Sequence, residues 1–109
     1  MKIDWITYIL LCLVAISCRP QTSSQQIDGQ TIYSKYCANC HDTGFQNAQV
    51  IGDKAGWQSR IAQGFEVLVS HSIDGYMGAL GYMPPRGGHF GLSDREIRAA
   101  VQYIIQQSQ

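Results

Sequence analysis

Towards the end of the chain, apolar residues recur at intervals of three and four: Ile97, Ala100, Val101, Ile104 and Ile105. That spacing puts them on one face of an α-helix, with Arg95, Arg98 and Gln102 turned to water. Leu92-Ser93-Asp94-Arg95-Glu96 supplies the start, since a Ser followed three residues later by Glu is a capping box. Leu92 and Ile97 bracket it as a hydrophobic staple. A second periodic run opens at Asp28, a good N-cap, with Ile27 and Ile32 as its staple. Ile32, Tyr33, Tyr36, Cys37 and Cys40 then follow at helical spacing on one apolar face. Gly29 weakens that helix relative to Ala, and a close helix crossing accounts for its presence.

The middle of the chain is less regular. Asp42 to Gly52 reads as loop, broken by Thr43-Gly44 and Asn47. Asp53 caps a helix running through Trp57 to Ala62 and ended by Gly64. Phe65, Leu68, Val69 and Ile73 share a face of a third helix, with Gly75 beyond its end. His71 lies in it, and an isolated helical His is first read as a surface or core residue. From Gly75 to Gly91 the content of Gly and Pro predicts no regular element. Long ordered loops inside small domains usually carry function.

The N-terminal residues follow another rule. Trp5 to Ser17 is almost wholly apolar after Lys2, too short to span a bilayer as a helix but suited to a signal-peptide core. Two readings of Val14-Ala15-Ile16-Ser17-Cys18 stand side by side. One is an ordinary cleavage site; the other, favoured, is a bacterial lipobox that leaves Cys18 as a lipidated first residue. Cys12 would leave with the apolar core. Residues 19–27, polar and without period, form a flexible tether, so the folded domain is expected over 28–109. With 109 residues this is one domain. Eight basic and eight acidic residues cancel, which removes the electrostatic case for nucleic acid or an anionic membrane surface.

The chemistry is concentrated in Cys37-Ala38-Asn39-Cys40-His41, the attachment signature of a covalent haem c. Two thiols one helical turn apart can each add to a haem vinyl group. His41 then lies under the iron as proximal ligand. A disulfide would not need His41. A thioredoxin-like site needs a βαβ pattern this chain lacks, and a zinc site needs a second close ligand pair, whereas His71 and His89 stand alone. For the sixth ligand, Tyr82-Met83-Pro84-Pro85-Arg86-Gly87-Gly88 offers a thioether beside two prolines that stiffen its backbone. Met83 is preferred, with Met77 and His89 as rivals.

With that pentapeptide near the start and Met83-Pro84-Pro85-Arg86-Gly87-Gly88 before a terminal helix, the chain resembles a class I c-type cytochrome, and more narrowly the short bacterial cytochrome c-five group. Gly29 and Tyr33, Gly52-Asp53 with Trp57 and Arg60-Ile61, and Ser93-Asp94 match that group's pattern over about Asp28 to Ile105. The second Cys pair common in the group is replaced by His89 and Leu92. The resemblance implies an all-α fold of three to five helices around one haem c, the first and last helices crossing at Gly29 and Tyr103. It further implies His41 and Met83 as axial ligands, Pro84 in the ligand loop, and Trp57 and Arg60 near the propionates. The function expected is a one-electron carrier, not an enzyme. It would be exported to the periplasmic side, held at the membrane by a lipid on Cys18, and docked transiently on redox proteins. The rivals are a haem-c enzyme or gas sensor with an open iron site, and the haem subunit of a larger oxidoreductase.

Denaturing mass spectrometry of protein from a host with haem c assembly machinery is expected to give the polypeptide plus one haem. Bare polypeptide would defeat the reading of the pentapeptide.

Overall fold

The computed structural model describes residues 25–109. The signal-peptide and lipobox residues 1–18, Cys18 included, and residues 19–24 of the expected tether lie outside the described residues. Five α-helices follow there: α1 Gly29–Tyr36, α2 Ala38–His41, α3 Lys54–Ile61, α4 Phe65–Asp74 and α5 Asp94–Ser108. None of the described helices is long and apolar enough to cross a membrane.

The caps form as the sequence implies. Asp28 accepts from Gln30 N at 3.1 Å to start α1, and Asp53 accepts from Gly56 N at 3.2 Å to start α3. Ser93 and Glu96 close the reciprocal capping box of α5. The stripe Ile97, Ala100, Val101, Ile104 and Ile105 is buried in full.

α5 is the spine of the core, because its stripe serves two clusters at once. Ile97, Val101 and Ile105 pack with Leu68 and Val69 of α4 and with Leu92, flanked by Ile32 and Tyr36. Ile104 packs with Tyr33 of α1 and Trp57 of α3, against which Cys37 and Ala38 also lie. α1 reaches α5 through Gly29. A Cβ built there would stand 2.1 Å from the Ala99 carbonyl oxygen and 3.2 Å from Tyr103 Cβ, so only hydrogen fits. One turn on, the Tyr33 and Tyr103 rings meet at 5.4 Å. The first and last helices therefore cross where the sequence placed the crossing, and the fold is mostly helical, as expected.

Three expectations need correction. The first helix does not run unbroken through the thiols: it stops at Tyr36, and Cys37 (φ −115°, ψ −30°) separates it from the single turn of α2. The stretch Gly75–Gly91 does hold regular structure, because Tyr76–Met77 (β1) pairs antiparallel with Tyr82–Met83 (β2) and a 3-10 turn follows over Pro85–Gly88. Composition missed this since two residues per strand suffice when Gly78 and Gly81 close the turn by a 2.8 Å bond. Arg98 is not simply solvated: it is half-buried, pairs with Glu66 at 2.6 Å and covers the Phe65 ring at 5.0 Å.

Gly29→Ala is expected to cost about 1–3 kcal/mol, since neither the Ala99 backbone nor the Tyr103 stem can withdraw cheaply. Urea unfolding of the holoprotein should show a lower midpoint at unchanged slope.

Candidate haem-binding site

Cys37 and Cys40 are both free and half-buried at the junction of α1 and α2. His41 N donates to Cys37 O at 3.0 Å and Cys40 N to the same oxygen at 3.2 Å, which winds the two thiols onto one turn. Burial first, and the neighbouring Cys40 second, push the Cys37 thiol up to about 11, so at neutral pH it is protonated. Tyr33 hydrogen-bonds through its hydroxyl to Asp42, the residue that ends α2. Burial and that carboxylate together hold the phenol well above its ordinary range.

His41 is held through both its ring and its backbone. Its Nδ1 lies 2.8 Å from Gln49 O, and a carbonyl can only accept, so Nδ1 carries the hydrogen and Nε2 keeps its lone pair. The same segment returns the contact: Ile51 N donates to His41 O at 2.8 Å. Between them, Val50 O accepts from Trp57 Nε1, also at 2.8 Å. Gln49–Val50–Ile51 is thus stitched to the imidazole, to the His41 backbone and to α3. The indole of Trp57 stands beside the imidazole, ring centres 6.4 Å apart. Gln49 is braced in turn, its side-chain amide donating to Asp53 at 2.9 Å.

The hairpin β1–β2 carries Met77 and Met83 on opposite faces. Tyr76 is opposite Met83, and Met77 opposite Tyr82, so side chains of each pair share a face. Met83 is half-buried, whereas Met77 is 71 % exposed. The loop is tied at several points. Asn47 Nδ2 donates to Leu80 O at 2.9 Å, joining the hairpin to the 3-10 turn Phe45–Asn47 that follows α2. Gly75 ends α4 at φ 83°, with no room for a Cβ, which would meet Pro85 Cδ at 2.9 Å and Met83 O at 3.1 Å. Arg86, itself at φ 54°, donates to Leu92 O at 2.7 Å and to Asp94 at 2.6 Å, pinning the loop to the start of α5. Pro84 is extended (φ −67°, ψ 155°) and half-buried. His89 is exposed and meets the Tyr36 ring edge-on at 5.0 Å. Arg60 lies on the exposed face of α3, its guanidinium folded back onto Gly56 O at 2.6 Å.

These residues suit a haem c. Two free thiols on one turn and an imidazole with one nitrogen committed are the attachment and ligand set the group needs. Phe45 and Leu80 leave apolar surface open on the two segments joined by the Asn47–Leu80 bond, surface that an apolar macrocycle would cover. Among the described residues no trio of His, Cys, Asp or Glu converges to hold a bare metal ion.

Sequence reasoning brought Cys37, Cys40 and His41 to one place, put Trp57 with Arg60 by family resemblance alone, and missed Gln49, Val50, Asn47 and Arg86. The first two act through backbone carbonyls, which leave no mark on residue type. Arg86 did leave one: a long cation after Pro-Pro and before Gly-Gly, within reach of the acidic start of a helix.

A helical fold closed by a tight first–last crossing, with a Cys-x-x-Cys-His turn and a braced histidine, defines a c-type cytochrome. The family described as cytochrome c oxidase, cbb3-type, subunit III matches residues 24–104, and the chain belongs to this cytochrome c family. Cytochrome c-555 of Chlorobaculum tepidum is 49% identical over 80 residues, covering 73% of this chain and 74% of that one. Cytochrome c5 of Azotobacter vinelandii is 39% identical over 75 residues, covering 67% and 86%. Among solved structures, a chain from the electron transfer complex of nitrite reductase with cytochrome c superposes with a TM-score of 0.66 at 36% identity. That match covers 74% of this chain and 94% of the other. The chain is therefore a class I monohaem c-type cytochrome, an electron carrier, and membership of the family implies a covalently bound haem c.

Arg86→Ala is expected to lower stability by about 1–2 kcal/mol, because it removes charge-assisted bonds and strands the Leu92 carbonyl. Arg86→Lys should recover only part, since an ammonium cannot span both acceptors as the fork does. Thermal unfolding of the three holoproteins measures it.

Proposed function

We propose that this cytochrome passes single electrons between protein partners of a respiratory or related redox chain, with one haem c bonded to Cys37 and Cys40 and ligated by His41 and Met83. The observation that carries the ligand set is the hairpin register: Met83 and Met77 face opposite ways, and Met83 is the one turned inward. Pro84 and Pro85 lock φ at two successive positions and so stiffen the backbone that carries it. Bound there, the haem iron supplies a ferrous–ferric couple, and a thioether ligand favours the ferrous form.

The chain's own residues keep that couple simple. His41, fixed by Gln49 O, keeps one ring orientation in both oxidation states. The hairpin, tied at Asn47, Gly75 and Arg86, holds the opposite ligand at a set place. Little then reorganises when the electron moves. Trp57 walls the His41 side, and Pro84 and Arg60 are assigned to the haem surroundings by the family pattern alone. No charged residue lies between Gly75 and Pro85, which supports transient docking through apolar contact with modest salt dependence. The complex of nitrite reductase with cytochrome c supports a redox enzyme as the kind of partner. Residues 28–109 form the working domain. The leader at 1–18 directs export to the periplasmic side, and a lipid on Cys18 holds the domain there on a tether of residues 19–27.

Replacing Met83 by Ala is expected to abolish the weak red sulfur-to-iron band of the oxidised protein, lower the potential and admit carbon monoxide. Met77→Ala should do none of these. Should Met77→Ala lose the band while Met83→Ala keeps it, the ligand assignment fails and the carrier stands. Carbon monoxide bound readily by the unaltered protein at neutral pH would overturn the carrier.

The anchor has its own test. Cys18→Ser should release the domain from membranes or block its processing, and equal solubility with and without the change would leave only ordinary signal cleavage.

A further inference from the structure

The sequence offered no role for His71, and the fold gives it one. α4 ends against the ligand loop, and His71, in its last turn, lies flat on Tyr76, with ring centres 3.9 Å apart and planes 17° from parallel. Tyr76 is the direct cross-strand partner of Met83. Residues paired in this way share a face of the hairpin, so the stacked ring and the thioether lie side by side. Tyr76 is otherwise 46 % exposed, and no other ring contact is made to it among the described residues. The imidazole is therefore what holds its ring to the helix. The residue just before Tyr76 makes the second grip, where Gly75 packs without a gap on Met83 O and Pro85.

We propose that His71 is a positioning residue for the sixth ligand: by stacking on Tyr76 it clamps the β1–β2 hairpin to α4 and keeps Met83 on the iron. This rests on the assignment of Met83 as ligand. His71 touches neither the iron nor Met83; it acts through Tyr76. Stacked aromatic rings carry attraction beyond the area they bury. A strand contact two residues wide is weak by itself, because an isolated hairpin is marginal in water, so each tie to the rest of the fold adds to its hold. Loss of the stack therefore raises the population of the conformer in which the hairpin has swung away and the sixth position is open.

Exogenous imidazole reports that population directly, since its apparent affinity scales with the fraction of protein whose sixth position is open. In titrations of the oxidised holoprotein, followed by loss of the sulfur-to-iron band, His71→Ala is expected to bind imidazole about three- to tenfold more tightly than the unaltered protein. His71→Phe, which can still stack, should stay within about twofold. Once Tyr76 is already Ala, removing His71 should change the affinity little, because the pair acts as a unit. A merely structural role would lower the urea midpoint of His71→Ala and leave the imidazole affinity where it was, and that result overturns the clamp. Full additivity of the Tyr76 and His71 changes overturns it as well. If Met83→Ala retains the band, the ligand assignment fails and takes the clamp with it. An unchanged imidazole affinity with Met83 ligation intact sinks the clamp alone.

Discussion

The hydrogen bond from His41 Nδ1 to the Gln49 carbonyl is the constraint on which the site depends. It fixes the tautomer, and with it which nitrogen keeps a free lone pair. A single bond of this kind would be weak if its acceptor could wander. Here the acceptor cannot, because the next carbonyl is held by Trp57 and the next N–H by His41 itself. Trp57 in turn is buried against Tyr33 and Ile104, so the orientation of one imidazole is referred through an indole to the core of the domain. The core does not merely support the site; it sets the angle of its histidine.

The other side is built on a different principle. Among the described residues neither core cluster includes a hairpin side chain, and the hairpin's largest side chains are mostly exposed. Its position comes from ties at its ends and flanks: Asn47 to Leu80, Gly75 on Pro85, Arg86 to Leu92 and Asp94, His71 on Tyr76. Each is modest, and several are half-exposed. A segment with few buried apolar contacts opens locally at lower cost than one packed into a core, as the α1–α5 crossing is. A carrier benefits from the division. The strongly held half carries the Cys-x-x-Cys-His turn, and the lightly held half presents an uncharged surface suited to brief encounters.

The two prolines acquire their meaning from this arrangement. Pro84 is extended and Pro85 opens the 3-10 turn in which Arg86 and Gly87 take positive φ. A residue at positive φ pays a steric cost unless it is Gly, and at Arg86 two hydrogen bonds to the start of α5 offset it. The loop is therefore coupled to the capping-box start of α5 rather than left to its own composition.

Much of this was written in local chemistry. The placing of Cys37, Cys40 and His41 together, the caps at Asp28, Asp53 and Ser93, the buried stripe of α5 and the need for a close crossing at Gly29 follow from residue type and spacing, because each is decided within one or two helical turns. The break in the helix at Cys37 was not legible, since the residues around it keep helical periodicity and only the backbone shows the interruption. The pairing of Tyr76 with Met83 was hidden in a Gly-rich run, and so was the fact that register alone turns Met77 outward. Gln49 and Val50 act through carbonyls that every residue possesses. His71 meets Tyr76 only because α4 stops at Gly75 and the chain doubles back beside it. Spacing along the chain determined which groups could do the chemistry; the meeting of distant segments decided which of them are held in place to do it, because contacts between backbone carbonyls, stacked rings and strand partners carry no signature in sequence until the fold brings them together.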